Sequence, residues 1–292
     1  ITVKTMTPLE FPATYSRMIA RELQLDSQGV TALLAGTTLS AQDLFQLDRR
    51  ISVFDQYLII RNGLAISQNP ALGLHVGSRM PLAAHGSVGA AASSAATMGE
   101  AFSVISRFQG LRAQFVKLNY HLADNQYRID MDLQVPLDEV GLFLIEAMMS
   151  TSQWVIEFIL GRPMHEATVE LNYPPPPHAE RYGDYLHCPV NFNCEYTRLS
   201  IPVELLDVSN PFADPEAFAQ ALLQCERLEA ASRPQENWSA RINRLLQQHP
   251  GQLWTLPEVA GALHVSARSL IRHLQAERTS YQLLLDQELR RQ

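Results

Sequence analysis

The spacing of apolar residues changes abruptly at residue 114, and that change limits the folds open to the chain. From residue 11 to 76 apolar positions recur three and four apart, as in FPATYSRMIARELQL and LFQLDRRISVFDQYLIIRNGLAI. That spacing lines one face of a helix. In QFVKLNYHLADNQYRIDMDLQV, residues 114–135, the pattern alternates: Ile129, Met131 and Leu133 are separated by acids, and Asp124-Asn125 supplies a turn. Alternation around such a turn predicts a β-hairpin. Helical spacing returns over 137–161, where Val140, Leu144, Ala147, Met148, Trp154 and Phe158 form an apolar face and Gly161 suits a C-terminal stop. The expectation is an α+β domain: helices plus a small, mainly antiparallel sheet.

Local signals divide the chain further. Thr37 and Ser40 are helix-start residues, and Gln68-Asn69-Pro70 is a break. The stretch from His85, HGSVGAAASSAATMGEAFSVISRFQGL, is rich in small residues that allow close packing, and Met98–Phe108 has helical spacing. Strands are predicted at 167–172, 190–196 and 198–203, with Pro174 to Pro177 as a stiff loop between the first two. Asp214-Pro215 opens a helix to about Ala231 with Phe218, Leu222 and Cys225 on one face. Residues 232–237, short, polar and proline-bearing, are the predicted linker. A helix over 238–249, closed by Pro250-Gly251, follows.

Composition narrows the function classes. At 292 residues with 46% hydrophobic and 18% charged content, the chain supports two globular domains. No apolar run reaches the roughly 20 residues of a membrane span, and ITVKTMTPLEF lacks a signal-peptide pattern. Cys188, Cys194 and Cys225 have no metal-ligand spacing and read as free thiols, which predicts a cytoplasmic protein. The scattered histidines predict no metal. GxSxG, P-loop and HExxH patterns are missing, and GSVGA at 86–90 does not match a dinucleotide fingerprint. The expectation is a protein with no catalytic residues and no cofactor. Glu146 reads as a solvated residue at the edge of a helix face, and His85 as a polar loop residue, with a ligand-site role open for each. Net charge is −7, yet from Glu236 onward seven Arg stand against five acids. A basic end on an acidic body suits DNA contact confined to that end.

The segment WTLPEVAGALHVSARSLIRHL, Trp254–Leu274, reads as two short helices joined by a tight turn. Thr255 can cap the first, with Leu256 and Pro257 at its start and Leu256, Val259, Ala260 and Leu263 inward. His264 and Val265 make the turn, Ser266 caps the second helix, and Leu270 and Leu274 face inward. Ala267, Arg268, Ser269, Arg272 and His273 are left on outward or flanking positions. In a helix-turn-helix the second helix enters the major groove, where Arg can contact guanine through two bonds. Arg268 and Arg272 are the predicted base readers, with Ser266 and Ser269 for support or phosphate and His273 beside them. Two bundle helices with a solvated arginine face fit the same spacing.

A resemblance favours the DNA-binding alternative. Leu256, Val259, Ala260, Val265, Ser266, Arg268, Leu270, Arg272, Leu274, Ser280, Tyr281 and Arg290 match the first helix-turn-helix of the AraC/XylS family of bacterial transcription regulators. The family's usual glycine before the Ser-aromatic pair is replaced by Glu277-Arg278-Thr279, which predicts a strained or reshaped loop. The family's second helix-turn-helix is expected beyond Gln292, making this a C-terminally truncated reader. HGSVGAAASSAATMGEAFSVISRF, the prolines at 174–177 and CPVNFNCEYTRLSIPVELLD resemble the arabinose-binding-type domain of the branch that includes ornithine-utilisation regulators. The resemblance implies an effector-binding and dimerisation domain over 1–231, a linker at 232–237 and a partial DNA-binding domain over 238–292. It implies a regulator, of the activator type, with double-stranded DNA, a small-molecule effector, a second copy of itself and RNA polymerase as partners, and no membrane. An apolar pocket is expected between the 98–108 helix, the hairpin and the 137–161 helix, with Phe102, Phe108, Phe115, Trp154 and Phe158 able to line it. A dimerisation scaffold without ligand, or an enzyme with a helical appendage, are the other readings.

Overall fold

The computed structural model describes residues 10–47, 49–232, 238–248, 254–263, 265–277 and 279–289. The chain forms two compact units, Ile1–Leu228 and Glu229–Gln292. Of the predicted linker, residues 233–237 lie outside the described residues, as do Pro250-Gly251, His264, Arg278 and Arg290.

The first unit opens with β1 (Glu10–Pro12), α1 (Ala13–Glu22), α2 (Ser27–Leu33) and α3 (Ala41–Phe45), followed by β2 (Arg50–Ser52) and α4 (Val53–Ser67). Side chains start three of these helices: Asp26 accepts from Gly29 N, Ser40 from Asp43 N and Ser52 from Asp55 N. Thr37 does not cap a helix; its hydroxyl bonds the Leu34 carbonyl and accepts from Leu39 N. The strands β1 and β2 pair antiparallel, Phe11 opposite Ile51. They were not legible in the sequence, because a three-residue ladder is too short to alternate.

α4 stops at Gln68, whose φ of 49° lies in the left-handed region, so the predicted break holds. Then come α5 (Leu72–Ser78), a 3-10 turn at Leu82–His85, α6 (Gly86–Ser94) and α7 (Met98–Phe108). The hairpin follows as β3 (Val116–Ala123) and β4 (Gln126–Leu133), in register from Val116↔Leu133 to Ala123↔Gln126. Asp124 and Asn125 take φ of 53° and 59°, the left-handed pair that a two-residue hairpin turn needs.

α8 (Glu139–Leu160) starts at the Asp138 cap and ends at Gly161, φ 67°. By length and composition α8 could cross a membrane, but twelve of its residues, Glu146 and Gln153 among them, are buried in the domain, so it is a core helix. It lies backbone to backbone against α5. A Cβ on Gly77 would stand 2.3 Å from the Ala147 carbonyl oxygen, and one on Gly73 2.5 Å from that of Phe143. Only glycine permits that approach.

β5 (Thr168–Glu170), β6 (Val190–Asn191) and β7 (Arg198–Pro202) complete a five-stranded sheet in the order β3-β4-β7-β5-β6, antiparallel except for β5–β6. α9 (Pro215–Ser232) packs Cys225 into a cluster with Val88, Ala91, Val104 and Phe108, with Phe218 and Leu222 against it. The main core runs continuously from α1, α4 and α5 through α7 and α8 to Ile129, Met131, Val169, Leu199 and Ile201 of the sheet.

The second unit is helical: α10 (Trp238–Gln248), α11 (Leu256–Ala262), α12 (Ala267–Ala276) and α13 (Tyr281–Leu289). Ile242, Leu246, Val259, Ala260, Leu270, Leu274 and Leu284 form its core. The molecule is thus an α+β unit followed by an all-α helix-turn-helix segment.

Candidate nucleic-acid interface and apolar cavity

In the second unit, Glu258 accepts hydrogen bonds from Thr255 N and Oγ1, both at 2.7 Å, and fixes the start of α11. Val265 N donates to the Ala260 carbonyl and closes it. The Ser266 hydroxyl accepts from Ser269 N at 3.1 Å and lies 2.9 Å from Ser269 Oγ. Both predicted serines are therefore committed to the cap of α12. Leu270 and Leu274 are fully buried, which sets the rotation of α12 and turns its opposite face outward. On that face Arg268 and Arg272 are exposed and pair with no acid among the described residues. Ile271, 43% exposed, and Gln275 share the face. The sequence reading passed over them, although each stands three residues after one of the arginines, the spacing that shares a helix face.

His273 is placed differently. Its ring stacks on Trp238, centroids 4.5 Å apart and 12° from parallel. Arg241 sits 4.2 Å from the same indole. One turn further, Glu277 accepts from Trp238 N at 2.6 Å, Ser239 N at 3.0 Å and Ser239 Oγ. Burial pushes the Glu277 carboxyl up, but these bonds outweigh it and hold it below the usual carboxylate range. A carboxylate at a helix N-terminus satisfies free N–H groups and the helix dipole. Glu277 thus caps α10 from the end of α12, and its own backbone is unstrained at φ −84°. Of the loop expected to be strained or reshaped, Glu277 carries this cap and Arg278 lies outside the described residues.

In the first unit an apolar cavity of about 180 Å³ lies among α1, α5 to α8 and the β3–β4 hairpin. Phe102 and Phe115 line it, as anticipated, and so does His85. Phe108 instead packs against Cys225, while Trp154 and Phe158 stack on each other and Phe158 on Phe212. His85 Nδ1 lies 3.1 Å from the Tyr15 hydroxyl, and Arg112 Nη2 donates to the Ala84 carbonyl at 2.6 Å. Burial and then the nearby Arg112 charge depress the His85 pKa to about 4. Among the described residues, no three His, Cys, Asp or Glu side chains stand close enough to hold a metal ion.

Glu146 corrects the sequence reading. It is buried, not solvated: its Oε1 accepts from Tyr182 at 2.7 Å and lies 2.6 Å from His178 Nε2. Desolvation raises its pKa against the bonds from His178 and Tyr182. The loop of prolines 174–177 delivers His178 to it, so this acid stitches α8 to the β5–β6 connection.

Comparison with known proteins agrees with both halves of this geometry. The family described as the N-terminal arabinose-binding domain of AraC transcription regulators matches residues 29–210. An ornithine utilization regulator of Pseudomonas aeruginosa is 32% identical over 290 residues, spanning 96% of this chain and 84% of that protein. An uncharacterized HTH-type transcriptional regulator of Mycobacterium tuberculosis is 26% identical over 262 residues, 87% of this chain and 75% of its own length. The crystal structure of the transcriptional regulator CdpR from P. aeruginosa shares the fold with a TM-score of 0.52 at 20% identity, covering 94% of this chain and 82% of that one. An arabinose-binding-type domain joined to a helix-turn-helix with an exposed arginine face places the chain in the AraC family of DNA-binding transcription regulators.

Proposed function

We propose that the chain is an effector-controlled regulator: α12 reads duplex DNA in the major groove, and a small molecule bound in the cavity of the first unit sets how well it does so. Arg268 and Arg272 contact bases, Ile271 and Gln275 lie against the same groove, and Ser266 and Ser269 hold the start of the helix. His273 acts at one remove, through Trp238. The single observation that carries the effector half is the apolar cavity beside an uncompensated arginine; the kinship with an ornithine utilization regulator supports it. Trp238, the first described residue after the linker, is bound to α12 by His273 and Glu277. A change in the linker would thereby reach the reading helix. Self-association, contact with RNA polymerase and action in the cytoplasm belong to the same reading.

The test is the affinity of the full chain for a duplex selected from random-sequence DNA, measured with and without a metabolite that raises its melting temperature saturably. Coupling of the usual size changes that affinity about 5–150-fold. Equal affinity in both states overturns control through DNA binding and leaves control through polymerase contact. Failure of every metabolite to stabilise the chain favours a ligand-free dimerisation scaffold.

A further inference from the structure

We infer that the cavity takes a hydrophobic molecule bearing one anionic head, a monocarboxylate, and that Arg112 and His85 hold that head. The inference rests on the effector reading of the first unit and narrows it to a chemical class.

The walls are aliphatic and aromatic, among them Leu82, Phe102, Phe115, Met131, Leu144 and Met148. Three polar side chains in the lining are already engaged. Gln56 accepts from Ser16 Oγ at 2.6 Å, the Gln109 amide bonds Leu118 N and O, and Thr151 donates to the Gly77 carbonyl. At the Tyr15, His85 and Arg112 end the needs are unmet. Among the described residues, Arg112 is the only one lining the cavity with a fixed charge, no acid lines it, and Arg112 is in no ion pair. Arg112 Nε and His85 Nε2 are both buried without a partner.

The polarity of these atoms identifies what is missing. The Arg112 charge bears on the Tyr15 phenol, and the imidazole is neutral. The Tyr15–His85 contact fits either tautomer; in the proposed one the Tyr15 hydroxyl donates to Nδ1 and the ring proton is on Nε2. Both unpartnered nitrogens are then N–H donors beside an unneutralised cation. Each buried donor left unmet costs about 1–3 kcal/mol, and an unpaired buried charge costs more. A carboxylate answers all three at once, since guanidinium and carboxylate match through parallel bonds. An amine would meet the Arg112 charge with no acid to offset it, and the ammonium groups of a diamino acid would find no acid in the lining among the described residues. A sugar would bring several hydroxyls to walls that are mainly aliphatic and aromatic. An apolar cavity of roughly 150 Å³ holds benzene, and this one, at about 180 Å³, has room for a short alkyl chain or a ring.

The experiment is calorimetric titration of the full chain with octanoate, 1-octanol and octylamine, which share one tail. Saturable binding of octanoate, tenfold or more tighter than 1-octanol, with no binding of octylamine, is expected. Arg112→Met should make octanoate and 1-octanol bind alike, and its retained 1-octanol binding shows that the cavity is intact. Arg112→Gln, which keeps a donor for the Ala84 carbonyl, is the second variant should the first fail to fold. Equal or tighter binding of 1-octanol or octylamine overturns the assignment, as does undiminished octanoate binding in both Arg112 variants, or no binding of any of the three. The effector reading fails separately: octanoate that binds through Arg112 yet leaves DNA affinity unchanged sinks the control and keeps the site. Octylamine that binds and shifts DNA affinity does the reverse.

Discussion

Arg268 and Arg272 stand one helical turn apart on the open face of α12, and each has a different neighbour on which its reading can be checked. Arg268 follows the Ser266 cap, near the helix start that enters a groove first. Arg272 lies beside the partly exposed Ile271. Arg268→Ala and Arg272→Ala should each lower specific affinity by about 1–3 kcal/mol, roughly 5–150-fold, and relax preference at one base position. Both should leave the circular dichroism spectrum unchanged, since neither side chain supports the core. Fluorescence anisotropy on matched and mutated duplexes measures this; unchanged affinity in both variants removes α12 as the reader. The exposed position of these two residues was legible in the sequence because Leu270 and Leu274 fix the inward face by spacing alone. His273 was not, because its partner Trp238 lies on another helix. Glu146 was misread for the same reason: its helix places it among apolar neighbours, and its partners arrive from a loop 32 and 36 residues away.

A second residue-scale prediction concerns His85. Its folded pKa of about 4 lies below the ordinary 6.5 because burial and then Arg112 disfavour the charged ring. The unfolded chain therefore takes up a proton that the folded one refuses. The stability tied to the neutral ring is present above pH 6.5 and is lost as pH falls from there through about 4. The shift corresponds to on the order of 3 kcal/mol. Unfolding free energies from urea titrations at pH 7.5 and 4.5 should differ less in His85→Gln than in the parent by about this amount. An unchanged difference would show that the ring is not held neutral.

At the scale of elements, one carboxylate and one ring stack add to the apolar packing of α10 on α12. Glu277→Ala leaves the Trp238 and Ser239 N–H groups without their acceptor. Hydrogen bonds to a charged group are worth about 1.5–3 kcal/mol, and the second unit should lose stability on that order. DNA affinity should fall with it, although Glu277 is not placed on the reading face. Glu277→Gln, which keeps one acceptor oxygen, should recover part of both; equal loss in the two variants would mean that shape rather than bonding is lost. In the first unit Gly77→Ala would drive a methyl into the Ala147 backbone. Backbone cannot rotate away, so α5 must shift, at a cost of about 1–3 kcal/mol or more, read as a lowered thermal midpoint. Elements with a long period or a definite turn, such as the hairpin, α8, α9 and α11–α12, were legible in advance. The pairings β1–β2 and β5–β6 were not, because two or three residues have no period and their partners are set by tertiary packing.

The whole molecule consists of two compact units of unequal core: among the described residues, seven buried apolar side chains close the second and a far larger continuous cluster closes the first. Small cores are marginal, so the second unit should unfold at lower urea than the first, as two resolved transitions in place of one. Regulation then becomes a question of linkage. If a ligand in the cavity changes affinity for DNA by some factor, DNA must change affinity for that ligand by the same factor. Titrating octanoate into the full chain alone, and into the chain saturated with its selected duplex, measures that second factor directly. The first comes from anisotropy with and without octanoate. The two factors must agree, whichever direction the control runs, because both describe one thermodynamic cycle. Agreement at a factor well above one establishes that cavity and reading helix share an equilibrium. A factor of one in both assays, with octanoate bound, leaves the cavity a binding site and removes it from the control of DNA reading.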